Sequence, residues 1–247
     1  MASHDPEARL SHLQSADGSA TFSHAGYTVV GAVNGPIEVQ RRDELPEEAV
    51  VDVIVRPAAG VGGTRERHLE SLLQSTLRQI ILINNFPRTL IQVTLQVTVS
   101  PENEYVNAKL SQAATNLPIL PTLIQTALLA LLSAAIPLTA TVTSAVLAIV
   151  ADDGASRIIV DPTAREIQVS RSLHVFAFTS RDELLLNESE GEFTMQEWDN
   201  AFATAQRQCC PAPTSDDVDM EGGSQADLKN FTRSTLETKT ASDLYWK

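Results

Sequence analysis

The chain has 247 residues, of which 43% are hydrophobic, and it carries 18 basic against 31 acidic side chains, a formal charge of −13. That length and apolar content suffice for a buried core, while the charge excludes tight unaided binding to nucleic acid, because phosphate neutralisation needs clustered Lys and Arg. The acidity is uneven: residues 1–181 hold 13 basic and 17 acidic groups, a net −4, and residues 182–247 hold 5 and 14, a net −9.

The opening Met1-Ala-Ser-His-Asp-Pro6 is polar and lacks the apolar stretch of a secretory signal, so a cytosolic or nuclear home is expected. Residues 1–14 show no period and read as a mobile arm. Residues 20–22, 27–33 and 37–41 read as short antiparallel strands, the last two separated by a turn at Asn34-Gly35-Pro36. A further strand spans 49–56, alternating until Pro57 stops it. Next comes Val61-Gly-Gly-Thr-Arg-Glu-Arg-His68, which has the composition of an anion loop: glycines that free backbone N–H groups, a helix start, and Arg65 to grip two oxygens. The same letters also serve as a flexible lead into a helix, and only context separates the two readings. From Thr64 the residues Leu69, Leu72, Leu73, Leu77, Ile80 and Ile81 fall at helical spacing, with Arg65 and Arg67 at the start of the helix and Arg78 near its end.

Ile91, Val93, Leu95, Val97 and Val99 alternate strictly with polar residues, the pattern of a strand with one covered face. An irregular acidic segment, 100–118, follows, and then a helix over 122–135 that is apolar almost all round and therefore buried on several sides. Pro118, Pro121 and Pro137 interrupt this most apolar stretch, leaving it short of the roughly 20 residues a membrane span needs. Strands are expected over 139–150 and 157–160 about a turn at 151–154, and again over 173–178 and 183–186. Thr194 and Glu197 form a capping box that opens a helix with Trp198, Phe202 and Ala205 on one face. Beyond Cys210 the chain is acidic and poor in large apolar residues, which predicts a largely disordered tail over 211–247, with Leu244-Tyr245-Trp246 as a candidate docking element. The adjacent Cys209 and Cys210 suit neither a loop-closing disulfide nor a tetrahedral metal site, and the five histidines are scattered, so no metal and no cofactor is expected. Grouped strands with interspersed helices predict an α+β domain over 15–210, with 100–118 as an insert.

Gly31-Ala-Val-Asn-Gly-Pro-Ile-Glu38, the strand-helix-strand passage ending in Phe86-Pro-Arg-Thr-Leu90, and Val160-Asp-Pro-Thr163 together resemble the RNase PH family. Ala16-Asp-Gly-Ser-Ala20 and Gly191-Glu-Phe-Thr-Met195 resemble that family's opening and closing signatures, so the likeness spans about residues 15–208. The spacing and the Asp-Pro-Thr turn look most like a non-catalytic RNase PH-like ring subunit of the eukaryotic RNA exosome. The resemblance implies an RNase PH-like fold, of the ribosomal protein S5 domain 2-like type, with mixed sheets packed against helices.

Active members of that family bind inorganic phosphate on a Gly-Gly-Thr-Arg loop lying between the long alternating strand and the buried helix. Here that place is 100–118, which has no glycine and no arginine but has Glu102 and Glu104. Gly62-Gly63-Thr64-Arg65 comes one helix and one strand too early. The family also uses a carboxylate pair to hold a divalent cation. Asp161 matches the first carboxylate and Glu166 is an adjacent acid, but the second position is Ile167, which cannot ligate magnesium. This degenerate site of Asp161, Glu166 and Ile167 implies no catalytic residues. The expected role is a scaffold that joins other RNase PH-like subunits in a hexameric ring, meets S1/KH cap subunits and a hydrolytic exoribonuclease, and helps thread RNA to it in nucleus, nucleolus and cytoplasm, with no membrane role. Arg65, Arg67 and Arg78 are the candidates for the RNA path, since Arg78 holds a position resembling an RNA-contacting arginine of active members. Arg88 is assigned to structure or to a subunit interface. The alternatives are an active phosphate-dependent 3'-5' exoribonuclease that uses Gly62-Gly63-Thr64-Arg65 with Asp161, and a self-sufficient RNA-binding module or self-associating protein outside the exosome, against which the charge speaks.

Overall fold

Alternating apolar and polar residues build the first sheet. The computed structural model describes residues 6–101, 117–152, 155–210 and 228–245, and the chain divides into two compact units, Met1–Val142 and Thr143–Lys247. In the first unit, strands β1 (Glu7–Leu10), β2 (Gly18–His24), β3 (Tyr27–Glu38), β4 (Val50–Arg56) and β5 (Thr89–Val99) lie in the spatial order β1-β2-β3-β5-β4. Neighbours pair antiparallel except β4 with β5, which are parallel. Parallel neighbours need a crossover, and helix α1 (Thr64–Ile80) supplies it. α1 also covers β4, an edge strand: Val55 N–H donates to Glu70 Oε1 at 2.9 Å, and Gln74 Nε2 donates to the Val51 carbonyl at 2.7 Å.

The inward residues Val29, Val33, Val51, Val53, Val55, Ile91, Val93 and Leu95 are all buried. Helix α2 (Leu120–Ser133) packs against β2 and β3, and each of residues 120–131 is buried, as its apolar circumference requires. Two glycines set its seat. A Cβ on Gly18 would stand 2.4 Å from both the Ala130 carbonyl oxygen and the Ala134 amide nitrogen, and one on Gly31 would stand 2.8 Å from Thr126 Cγ2.

The second unit is a four-stranded sheet, β6 (Val142–Asp152), β7 (Ala155–Val160), β8 (Ser172–Thr179) and β9 (Leu184–Gly191), in the order β7-β6-β8-β9. A short helix α3 (Ala164–Val169) joins β7 to β8, and α4 (Met195–Cys209) packs on the sheet. Its core joins Leu147, Ile149, Phe176 and Phe178 to Ala201 and Ala205, and Trp198 stacks on Phe202 at 5.5 Å. Thr194 caps α4 as its spacing predicts, with Glu197 Oε2 accepting from Thr194 N–H at 2.8 Å. His174 lies wholly buried in β8, bridged by the hydroxyls of Ser172 at 3.1 Å and Ser189 at 2.8 Å and met edge-on by Phe193 at 4.8 Å.

The α+β class and the mixed sheets stand as expected, and five elements differ from the sequence reading. The arm over 1–14 contains β1, four residues paired antiparallel with β2; an exposed edge strand this short leaves no apolar period to detect. The anticipated turn at Asn34-Gly35-Pro36 is a register shift inside one continuous β3, so 37–41 is no separate strand. A Cβ on Gly35 would meet the Leu90 carbonyl oxygen at 2.8 Å, so this glycine serves a close approach between strands. Helix α3 follows the Asp-Pro-Thr turn, too short to carry a periodic signal. The tail expected to be largely disordered over 211–247 contains helix α5 (Leu228–Asp243), in which Thr232 is buried and Lys229 pairs with Asp182 at 3.3 Å. Its polar sequence hides its packed face. Finally, two units replace a single domain over 15–210. Residues 102–116 of the insert lie outside the described residues, as do 153–154 of the expected 151–154 turn, 211–227 of the tail and Trp246 of the candidate docking element. No described helix is long and apolar enough to cross a membrane.

Gly18→Ala is expected to destabilise the protein by about 1–3 kcal/mol through overpacking, seen as a lower urea midpoint, because backbone atoms of α2 cannot step aside. His174 supplies a pH dependence. Burial lowers its pKa from 6.5, against a smaller opposing effect of Glu197. The unfolded chain therefore binds the proton more readily, and stability that is full above pH 6.5 falls as pH drops toward the lowered value. Urea midpoints measured across that window should decline, and His174→Gln should flatten the decline.

Candidate functional site

The first turn of α1 answers the question its glycines raise. Gly63 N–H donates to Glu66 Oε2 at 2.6 Å, so the position an anion would take at this helix N-terminus is held by the protein's own carboxylate. Arg65 is half-buried and Arg67 exposed on the same turn. Arg78 lies thirteen residues beyond Arg65, a separation of about 20 Å along the helix axis. The three arginines thus do not converge on one point.

Their acidic neighbours in sequence are engaged elsewhere. Glu66 caps the helix and Glu70 bonds β4, while the guanidinium of Arg78 pairs with Glu48, thirty positions earlier. Arg88 pairs with Glu44 at 3.3 Å, and its own N–H donates to the Leu45 carbonyl at 3.2 Å. Nothing in the local sequence pointed to Glu44 and Glu48. Their segment is brought to α1 by the Ala49 N–H, which donates to the Ile83 carbonyl at 3.0 Å.

Asp161, Glu166 and Ile167 do share one place, the connection from β7 into α3. Asp161 has a φ of 48°, a left-handed conformation that Asp tolerates better than most residues, and its N–H donates to the Val146 carbonyl at 3.0 Å. Glu166 Oε2 accepts from both the N–H and the hydroxyl of Thr163, each at 2.7 Å. It works as the capping residue of α3. Ile167, half-buried one residue later, is hydrocarbon and offers no oxygen ligand. Among the described residues no three His, Cys, Asp or Glu side chains gather as a ligand set for a cation. The thiols offer no nucleophile at neutral pH: burial pushes the Cys209 pKa up to about 12, and burial with the neighbouring Asp182 pushes that of Cys210 up to about 11.

Residues 3–137 match the 3' exoribonuclease family, domain 1, and residues 140–208 match domain 2 of the same family. The chain is similar to the exosome complex component RRP46 of Saccharomyces cerevisiae, with 35% identity over 209 residues, which is 82% of this chain and 89% of that protein. It is 40% identical over 89 residues to the exosome complex component rrp46 of Schizosaccharomyces pombe, covering 36% of this chain and 39% of the relative. In fold it resembles the crystal structure of rice (Oryza sativa) Rrp46, with a TM-score of 0.71 over 94% of this chain and 95% of that one at 24% identity.

Glu166→Ala should act on stability alone: loss of the α3 cap is expected to cost about 1 kcal/mol in urea unfolding. Magnesium titration calorimetry should give the same trace for the variant and the parent.

Proposed function

Because the chain belongs to the 3' exoribonuclease family, we propose that it is a non-catalytic subunit of an RNA exosome core ring. Ring membership is supported by 35% identity, over most of both chains, to a protein named as an exosome complex component. Catalytic inertness is supported by one observation above all: both family domains match, over residues 3–137 and 140–208, yet where the resemblance puts a second carboxylate this chain has Ile167, with Glu166 beside it bonded to Thr163. The single carboxylate of Asp161 cannot hold a magnesium ion against a scissile phosphate, since hard cations need several oxygen ligands. The Gly62-Gly63-Thr64-Arg65 loop adds no phosphate site while Glu66 occupies its backbone donor.

What remains is architecture. The subunit joins other RNase PH-like chains in a closed hexameric ring, meets S1/KH cap subunits on one face, and helps position RNA on its way to a hydrolytic exoribonuclease. Its arginines serve this by contact with phosphates, which holds the strand without reading its bases. The resemblance further suggests work on RNA processing and decay in nucleus, nucleolus and cytoplasm.

Native mass spectrometry of the tagged protein, purified gently from its own cells, tests the reading. A hetero-oligomer containing other RNase PH-like chains is expected; a free chain or homo-oligomer would overturn ring membership. The chain produced by itself should release no nucleoside diphosphate from RNA in the presence of phosphate, and Arg65→Ala should leave that baseline unaltered. Phosphate-dependent release abolished by Arg65→Ala would overturn inertness.

A further inference from the structure

Arginine and acid are mixed densely where the segment between β3 and β4 meets α1. Arg42, Asp43, Glu44, Glu47 and Glu48 come from that segment, Arg78 from the last turn of α1, and Arg88 from the turn before β5. The pairing crosses between elements: Glu48 binds Arg78, and Glu44 binds Arg88 at 3.3 Å. Both arginines are open to solvent, with 52% and 68% of their side-chain surface exposed.

Their glutamate partners are less exposed, at 24% for Glu48 and 31% for Glu44, but with the guanidinium groups in water each pair is screened and two long side chains must be held still, so it adds little to stability. The fold does not need them here, since the segment is already fixed by the backbone bonds from Ala49 N–H to the Ile83 carbonyl and from Arg88 N–H to the Leu45 carbonyl. What the two glutamates do is occupy two guanidinium groups. A carboxylate and a phosphodiester offer a guanidinium the same arrangement, a pair of anionic oxygens. We propose that Glu44 and Glu48 act as built-in phosphate mimics that mask Arg88 and Arg78, and that single-stranded RNA phosphates displace them.

This proposal rests on the reading of the protein as an RNA-guiding subunit. It gives a physical account of how a chain of charge −13 offers phosphate contacts without holding RNA loosely and everywhere. Displacement has to be driven by a locally high phosphate concentration, as for a strand already confined nearby, so contact is conditional on threading. Arg88 becomes part of the RNA path on this view.

The experiment measures binding of a short fluorescein-labelled oligouridylate to the full chain over a salt series. Glu44→Gln with Glu48→Gln should tighten binding about tenfold at low salt and steepen the log–log salt slope by about 1.4, some 0.7 for each additional phosphate neutralised. The control is Glu38→Gln with Glu47→Gln, the same change of charge at two exposed positions that make neither of these pairs; it should leave the slope unchanged. Adding Arg78→Gln and Arg88→Gln to the first variant should return binding to the parent level. An equal effect from the control, tighter binding that survives loss of both arginines, or no measurable binding by the unmasked variant would each overturn the proposal. If the glutamine variant does not fold, the unmutated chain decides: at millimolar concentrations of the same RNA, which supply the high phosphate concentration that displacement needs, the Arg78 and Arg88 Nε–H resonances should move, and their standing still while RNA binds would overturn the proposal. Unchanged RNA affinity with loss of ring partners by native mass spectrometry would show a protein-contact face and also overturn masking. Failure of the ring reading looks different, because there the unmutated chain itself has no partners.

Discussion

The first unit depends on how closely α2 can lie on its sheet. A helix apolar around its whole circumference has no face for water, so it must be covered, and the depth of its seat decides how well. Gly18 and Gly31 remove the two Cβ atoms that would collide with Ala130, Ala134 and Thr126. With α2 seated, β2, β3 and β5 have their apolar face filled. The remaining strand, β4, is then completed by α1, whose Glu70 and Gln74 bond its backbone at the sheet edge. Strand, helix and strand follow in one crossover, and the position of α1 in turn decides where every arginine on it lies.

Carboxylates are used internally throughout the chain. Glu66 takes the Gly63 N–H, Glu70 the Val55 N–H, Glu166 and Glu197 the capping threonines of α3 and α4, and Glu48 and Glu44 two arginines. Each is an acceptor for a donor of the chain itself. In each case a backbone or side-chain donor is satisfied within the protein and the acceptor is held in one place.

The core-forming pattern was readable from residues alone. Strict alternation over 91–99, helical spacing from Leu69 to Ile80, and the Thr194/Glu197 box all became the elements they announce, because burial of one face and satisfaction of a helix end leave local traces in the chain. Elements held by edge pairing or by one polar contact left none. β1 is short and exposed, α3 is six residues long, and α5 is anchored by Lys229 to Asp182 and by buried Thr232.

That position 167 is an isoleucine and that 100–118 has no glycine and no arginine are facts of composition, and they needed no coordinates. The partners of the arginines were of the other kind. Glu66 and Glu70 are acids near the first-turn arginines in sequence, yet α1's register turns those two toward backbone N–H groups, and Glu48 reaches Arg78 from thirty residues away. Periodicity encodes which face is buried, since burial acts on every turn of an element; it carries no record of which distant segment lies beside a surface side chain. That is set by the packing of β4, α1 and the β3–β4 segment against one another, and only the assembled tertiary structure decides it.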